Sequence, residues 1–263
     1  MNSGPVMRLE LMRPHQIRAA IAGNMPAVLA IGVQEYHGEH LPVGVDLLAV
    51  TRCLDRLESA EPNALILLPP FAYGAASHAV AGPMGTGTLH VDAAAFLPFA
   101  QGLFAALLNV GFRNIHGVIH HQTENFWQGM PTDLCFRLAA RQATFAHLEA
   151  EQGQGWWGKG DMADYYAGHA AGNNPFNWIS IHPLMPPEVA TVLPFDHAGE
   201  GETALMLALA PETVEPARMA ANDTWYTATA PRATKAQGEA GVVLILAHLR
   251  VVLGIKRAMR EFG

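Results

Sequence analysis

The sequence predicts an α/β sandwich built on a mainly parallel sheet. Two observations lead there. Short apolar runs alternate with segments of helical period, in β-loop-α order. Half of the 263 residues are hydrophobic and only 15% are charged, which supports a sizeable core and argues against disorder.

Taken in order, Pro26–Val33 (PAVLAIGV) is a short apolar run with a Gly at its end and reads as a buried strand. A loop rich in Gly, His and Pro follows. Asp46–Ser59 carries Leu47, Val50, Leu54 and Leu57 at helical spacing. Asn63–Pro69 reads as a second buried strand. Val91–Val110 is a helix, with Asp92 as N-cap, Pro98 as a source of kinking and Gly111 as the terminating residue. Asn114–His120 is a third strand. Asp133–Glu149 is a helix with Leu134, Leu138 and Phe145 on one side, and Gly201–Ala210 and Gln237–Arg260 are further helices. Gly153–Pro187, rich in Gly, Trp, Tyr, Asn and Pro, has no period and reads as an irregular site wall or lid. No repeat is visible, and the length suits one domain spanning 1–263.

Composition excludes several classes. A net charge of −7 argues against nucleic acid and against an anionic membrane surface. The first ten residues hold no apolar signal segment, and the apolar stretch Val242–Ile255 is too short to span a bilayer. Two cysteines, Cys53 and Cys135, make no disulfide framework, so a soluble, cytoplasmic protein is expected.

In α/β folds of this kind, ligands sit beyond the carboxyl ends of the strands. The loops after Val33 and after His120 leave from that end and should converge. The first holds Glu35-Tyr36-His37-Gly38-Glu39-His40, then Asp46. Glu35 and His37 are two apart and share a side in an extended segment, a half-site for Zn²⁺ or Mn²⁺. A carboxylate at Asp46 could bridge two cations; equally, Asp46 could serve only as a helix N-cap and the Glu35–His37 pair could lie at the surface. The second loop reads His120-His121-Gln122-Thr123-Glu124-Asn125, where Glu124 with His121 or Gln122 could complete a metal shell or simply meet solvent. The third signal is Asp196–Thr203 before a helix. His197 there is a candidate acid–base or oxyanion-holding group, while Glu202 suits a helix's first turn.

The loop Gly82–Thr88, with Thr86 as a candidate ligand contact, is glycine-rich but lacks the Lys-Ser/Thr of a phosphate loop. No Gly-x-Ser-x-Gly elbow or His-Glu-x-x-His helix occurs, which weakens serine-hydrolase and zincin readings. Trp156, Trp157 and Trp178 either wall a ring-shaped ligand or pack the irregular segment onto the body.

The loop GVQEYHGEHLPVGVD (Gly32–Asp46) resembles the signature of the creatininase, or creatinine amidohydrolase, family. HAVAGPMGTGTL (His78–Leu89), DHAGEGET (Asp196–Thr203) and ATKAQGEAG (Ala233–Gly241) are similar, in the same order, to further segments of that family. The resemblance implies a three-layer α/β/α sandwich with a mainly parallel sheet, a homohexamer and a dinuclear metal site. Glu35, His37, Asp46 and Glu124 would be ligands with Asp46 bridging, His197 and Glu124 catalytic, and Trp156 or Trp178 in the pocket wall. One departure stands out: where the family carries a His ligand, the aligned position here is Gln122. Zinc would then be held firmly at one site, with manganese at a second, weaker one, unless His121 takes Gln122's place; His121 is otherwise a substrate contact.

The expected chemistry follows from zinc, which lowers the pKa of its water from about 15.7 to about 7 and so supplies a nucleophile toward a polarised carbonyl. Relatives suggest a small cyclic substrate. The weakened second site points to ring carbon–carbon cleavage of an inositol-derived diketone, with a cyclic amide or formamide as the alternative. From other classes, a non-catalytic metal-stabilised hexamer subunit and a sugar-binding module remain as rivals.

Overall fold

The structure is a computed structural model and describes residues 7–162, 164–170 and 174–255. Four parallel strands form one sheet in the order β2-β1-β3-β4: β1 is Ala27–Ile31, β2 Ile66–Phe71, β3 Ile115–Ile119 and β4 Ile179–Pro183. Parallel neighbours require crossovers. These are α2 (Val45–Ala60), α3 (Ala93–Val110) and α4 (Pro131–Gln152), which follow β1, β2 and β3 in turn. The short α1 (Pro14–Ala22) precedes the sheet, α5 (Tyr165–Ala170) lies before β4, and α6 (Glu200–Leu209) and α7 (Lys235–Val252) complete the chain.

Strand side chains alternate between faces, and both faces are covered, so the strands are mainly apolar, with His116 in β3 and Ser180 and His182 in β4 as the polar exceptions. Val28, Ala30 and Val118 pack with α2, α6 and α7, whereas Ala27, Leu29, Ile31, Ile115 and Ile119 pack with α3 and α4. The three-layer α/β/α sandwich expected from the sequence is what forms.

The element ends show where local signals were overridden. The α2 N-cap is Gly44, so Asp46 lies inside the first turn, buried, with no capping duty. Asp92 makes no capping hydrogen bond at α3 and instead faces His90 at 3.1 Å. Asp133 does serve its helix, accepting the Met130 N–H at 2.6 Å. The segment read as irregular, Gly153–Pro187, contains α5 and the edge strand β4. Five residues, ISIHP, following Trp178 and ending in a proline carry too little apolar pattern to stand out. The last helix ends at Val252, and its expected extension beyond 255 lies outside the described residues.

Among the described residues, the helix long and apolar enough to cross a membrane is α3, not the Val242–Ile255 stretch. It serves as a layer of the sandwich, with Phe96, Ala100, Phe104, Leu107 and Leu108 buried against β-strands and α4. On the opposite face, close approach positions the site. A Cβ on Gly32 would lie 2.5 Å from the Leu47 backbone, so only glycine lets the end of β1 touch the first turn of α2, the turn that carries Asp46.

Candidate metal centre

Four segments converge beyond the carboxyl ends of β1 and β3: the loop Gln34–Gly44, the first turn of α2, the residues directly after β3, and the start of α6. They bring together two groups of potential ligands that share Asp46. One is Glu35, Asp46 and His121; the other is His37, Asp46 and Glu202. A third overlapping group joins Glu35 and His37 with His197.

The first group has His121 Nδ1 at 3.3 Å from Glu35 Oε2 and 3.5 Å from Asp46 Oδ2. In the second, His37 Nε2 is 3.4 Å from Glu202 Oε2. These are long for hydrogen bonds. They match the separation of two ligands on one tetrahedral cation, about 3.4 Å for bonds of about 2.1 Å.

Orphaned polar atoms make the same point. His37 Nε2, Asp46 Oδ2 and His121 Nε2 are buried without hydrogen-bond partners. Such groups are costly unless something satisfies them. His37 donates its Nδ1–H to the Glu35 carbonyl oxygen at 2.9 Å, which leaves Nε2 with a bare lone pair facing the carboxylates. This donor set, imidazole and carboxylate with one shared Asp, fits a pair of divalent transition cations.

Glu202 is oriented from outside the group. His120 Nε2 donates to its Oε1 at 3.1 Å and the Ala198 N–H donates to its Oε2 at 2.7 Å. Ala198 holds φ of 52°, an unusual value for a residue with a side chain, and that conformation aims its N–H inward. Asp196 caps α6 through the N–H groups of Gly201 and Glu202.

Charge is balanced within the group. Burial would push the His37 imidazole down, but Glu202 and Asp46 outweigh it and its pKa is raised. Burial also opposes charge on His121, yet the facing Asp46 and Glu35 carboxylates raise its pKa to about 10. Asp46 and Glu202, although buried, are held below the ordinary carboxylate range, Asp46 by His121 and His37 and Glu202 by His37 and His120.

A cation must therefore displace protons. Zinc binding is expected to tighten as pH rises from about 6 to about 8 and to release at least about one proton per chain at neutral pH. Calorimetric zinc titrations in buffers of different ionisation enthalpy read this directly, and pH-independent uptake without proton release would contradict it. In the metal-free protein the sign reverses. The ion pairs of His121 contribute fully below the ordinary imidazole pKa, and that contribution fades as pH climbs through about 10.

Above this floor lies a cavity of about 550 Å³ lined by Glu35, Asp46, His121, Glu202, His197 and Trp225, among others. His197 donates Nε2–H to the Tyr36 carbonyl at 2.8 Å, and its ring lies 4.3 Å from that of His37.

The site residues expected from the sequence fall into two sets. Glu35, His37, Asp46 and His197 meet as ligands or neighbours, and His121 joins them as a ligand candidate. Glu124 does not reach them; it is exposed at the wall of the cavity, and Glu202 stands against His37 and Asp46 instead. Gln122 is engaged elsewhere: its amide donates to the Met185 carbonyl at 3.0 Å and accepts the Met185 N–H at 3.1 Å. Trp156 lines a separate cavity with Trp157, Tyr165 and Phe176, and Trp178 packs under the Arg113 guanidinium at 4.6 Å. Thr86 donates to the Gly82 carbonyl within its own loop. Sequence reading passed over Glu202, Trp225 and Tyr226. Glu202 was visible only as one of two acidic residues in a helix's first turn, Glu200 and Glu202, with nothing to choose between them.

Comparison with known proteins places the fold. The family described as Creatininase: Creatinine amidohydrolase matches residues 10–244. A crystal structure of creatinine amidohydrolase (creatininase) superposes with a TM-score of 0.68 at 19% identity, covering 95% of this chain and 98% of that one. A creatininase variant of Zn–Zn type gives 0.66 at 19% identity, with 94% and 98% covered. A manganese creatininase gives 0.65 at 19%, with 93% and 98% covered. A search of curated proteins by sequence finds no match.

Proposed function

The chain belongs to the creatininase family, and from that premise we propose that it is a metal-dependent hydrolase cleaving the carbon–nitrogen bond of a small amide. The observation that carries this reading is the shared Asp46, buried between two ligand groups, with its own Oδ2 and the facing His37 Nε2 left without hydrogen-bond partners. Glu35, Asp46 and His121 would hold one cation, and His37, Asp46 and Glu202 the other. Zinc and manganese are the metals of the solved relatives, and both suit these donors.

Bound there, divalent cations supply Lewis acidity toward a carbonyl oxygen and lower the pKa of a water at the same place. The rest is done by the chain's own groups. His197 has its Nε2–H fixed on the Tyr36 carbonyl, so Nδ1 is the atom free to take a proton and return it to a leaving nitrogen. Tyr226 holds the His197 ring edge-on at 5.3 Å, with its own hydroxyl donated to the Val80 carbonyl at 3.1 Å. Glu124, at the cavity wall, is placed to move a proton rather than to bind metal. Met130, Met185 and Phe195 narrow the cavity and limit water.

One part of the sequence expectation shifts. The inositol-diketone reading rested on Gln122 weakening one metal site; with Gln122 tied to Met185 and His121 beside Glu35 and Asp46, amide hydrolysis is the reading carried forward. The homohexamer remains part of the proposal, supported by exposed apolar side chains on α3 and α4: Phe99, Val110, Leu134, Leu138 and Phe145.

The test is turnover. Zinc- or manganese-loaded protein is expected to hydrolyse creatinine or another small amide or formamide, and chelation to abolish it with the fold intact. Metal-loaded protein inert toward the whole amide series would reject the reading.

A further inference from the structure

The aromatic wall of the cavity is not the one the Trp-rich segment suggested. It is Trp225, in the short turn Trp225–Thr227, with its side chain 88% exposed. An indole left in water forgoes the burial that normally places it. Its backbone, in contrast, is tied down on both sides. Asn222 accepts the Glu39 N–H at 2.8 Å and donates to His40 Nδ1 at 3.0 Å, while Thr229 accepts the Glu200 N–H at 3.0 Å. The turn is thus pinned to the two elements that carry the metal ligands, the Glu35–His40 loop and the start of α6. Tyr226 beside it contacts His197, and the Trp225 ring meets Tyr226 edge-on at 5.9 Å. The result is a fixed turn presenting an uncovered ring over the metal floor.

Charge narrows what the ring can meet. The described lining holds Glu35, Asp46, Glu124, Asp196 and Glu202 but no Lys or Arg. The three metal-facing carboxylates answer to cations; Glu124 does not. An anionic substrate group finds no Lys or Arg in the described lining and meets the Glu124 carboxylate, whereas a neutral or cationic one meets no such repulsion.

We propose that Trp225 is the stacking wall of this site, and that the substrate is a flat, neutral or cationic ring lying on the indole with its carbonyl toward the buried carboxylates and histidines. The inference rests on the hydrolase reading for the carbonyl's orientation, but stacking itself is an equilibrium property and is measured without turnover.

Creatinine, hydantoin and hydantoin-5-acetate are titrated calorimetrically into zinc-loaded wild type, Trp225→Ala and Trp225→Phe. At least one of the two uncharged rings is expected to bind, with hydantoin-5-acetate about tenfold weaker or worse. Trp225→Ala is expected to weaken the ring by about tenfold and Trp225→Phe to restore most of the loss. Where turnover is seen, the change should lie in KM with kcat little altered, a split that a merely structural role does not produce. Equal affinity of Trp225→Ala and wild type, equal or tighter binding of the carboxylated ring, or no binding of either uncharged ring overturns the proposal. Trp225-dependent binding without hydrolysis would leave stacking standing and remove the hydrolase reading; hydrolysis with a KM indifferent to Trp225 would do the reverse.

Discussion

Asp46→Asn is expected to give a folded protein that retains neither cation and has lost about a thousandfold or more of its turnover, the equivalent of several kcal/mol of transition-state stabilisation. The reason is that both ligand groups pass through this one side chain. An amide matches the carboxylate in shape but offers one neutral oxygen, so it cannot serve two cations. Folding should survive, because α2 is anchored by Val45, Ala49, Val50, Cys53, Leu54 and Leu57 in the core, and none of these contacts involves the carboxylate. In the metal-free state, the loss of the Asp46 charge lowers the His121 pKa, while Glu35 at 3.3 Å remains as a partner for the imidazole. Elemental analysis and a melting curve of metal-free protein check both halves. A variant that keeps two equivalents of metal would show that the shared carboxylate does not bridge.

The second large effect separates two glutamates. Glu202→Gln should lose one equivalent of metal and about a hundredfold to a thousandfold in rate, whereas Glu124→Gln should keep its full metal content and change rate alone, by about a hundredfold if Glu124 moves a proton. Glu202 is 7% exposed and held by the His120 imidazole and the Ala198 N–H, so its second oxygen has a fixed direction toward His37. Among the described residues Glu124 finds no such anchoring, and it opens to solvent. The comparison is internally controlled, since both variants remove one carboxylate from the same cavity. Metal loss in Glu124→Gln with full retention in Glu202→Gln would return the ligand role to the loop after β3.

Much of this was legible in the chain. β1 and β3 showed as mainly apolar runs because strands covered on both faces hold few polar residues, His116 being the exception in β3. Glu35, His37 and Asp46 showed because they lie within twelve residues, bound to one turn of chain whose geometry is local. His197 showed through its neighbours Ala198 and Gly199. Trp156 and Trp178 were misleading for a physical reason: an aromatic side chain signals burial against something, but not against what. One lies in a separate aromatic cavity and the other under an arginine. The edge strand β4 was hidden because five residues with a Ser and a His leave too short a pattern.

The sequence alone determined the layer order, the side of the sheet on which chemistry occurs, and the first half of the ligand set, because periodicity and short-range spacing are properties of neighbouring residues. Only the tertiary structure decided that Glu202 rather than Glu124 faces His37, that His121 rather than Gln122 faces Glu35, and that Trp225 rather than Trp156 walls the cavity. Each of those choices depends on how far apart segments dock and which way a backbone N–H or imidazole turns a side chain. Such directions are set by packing across the fold, by contacts such as Gly32 against Leu47 and Asn222 against His40.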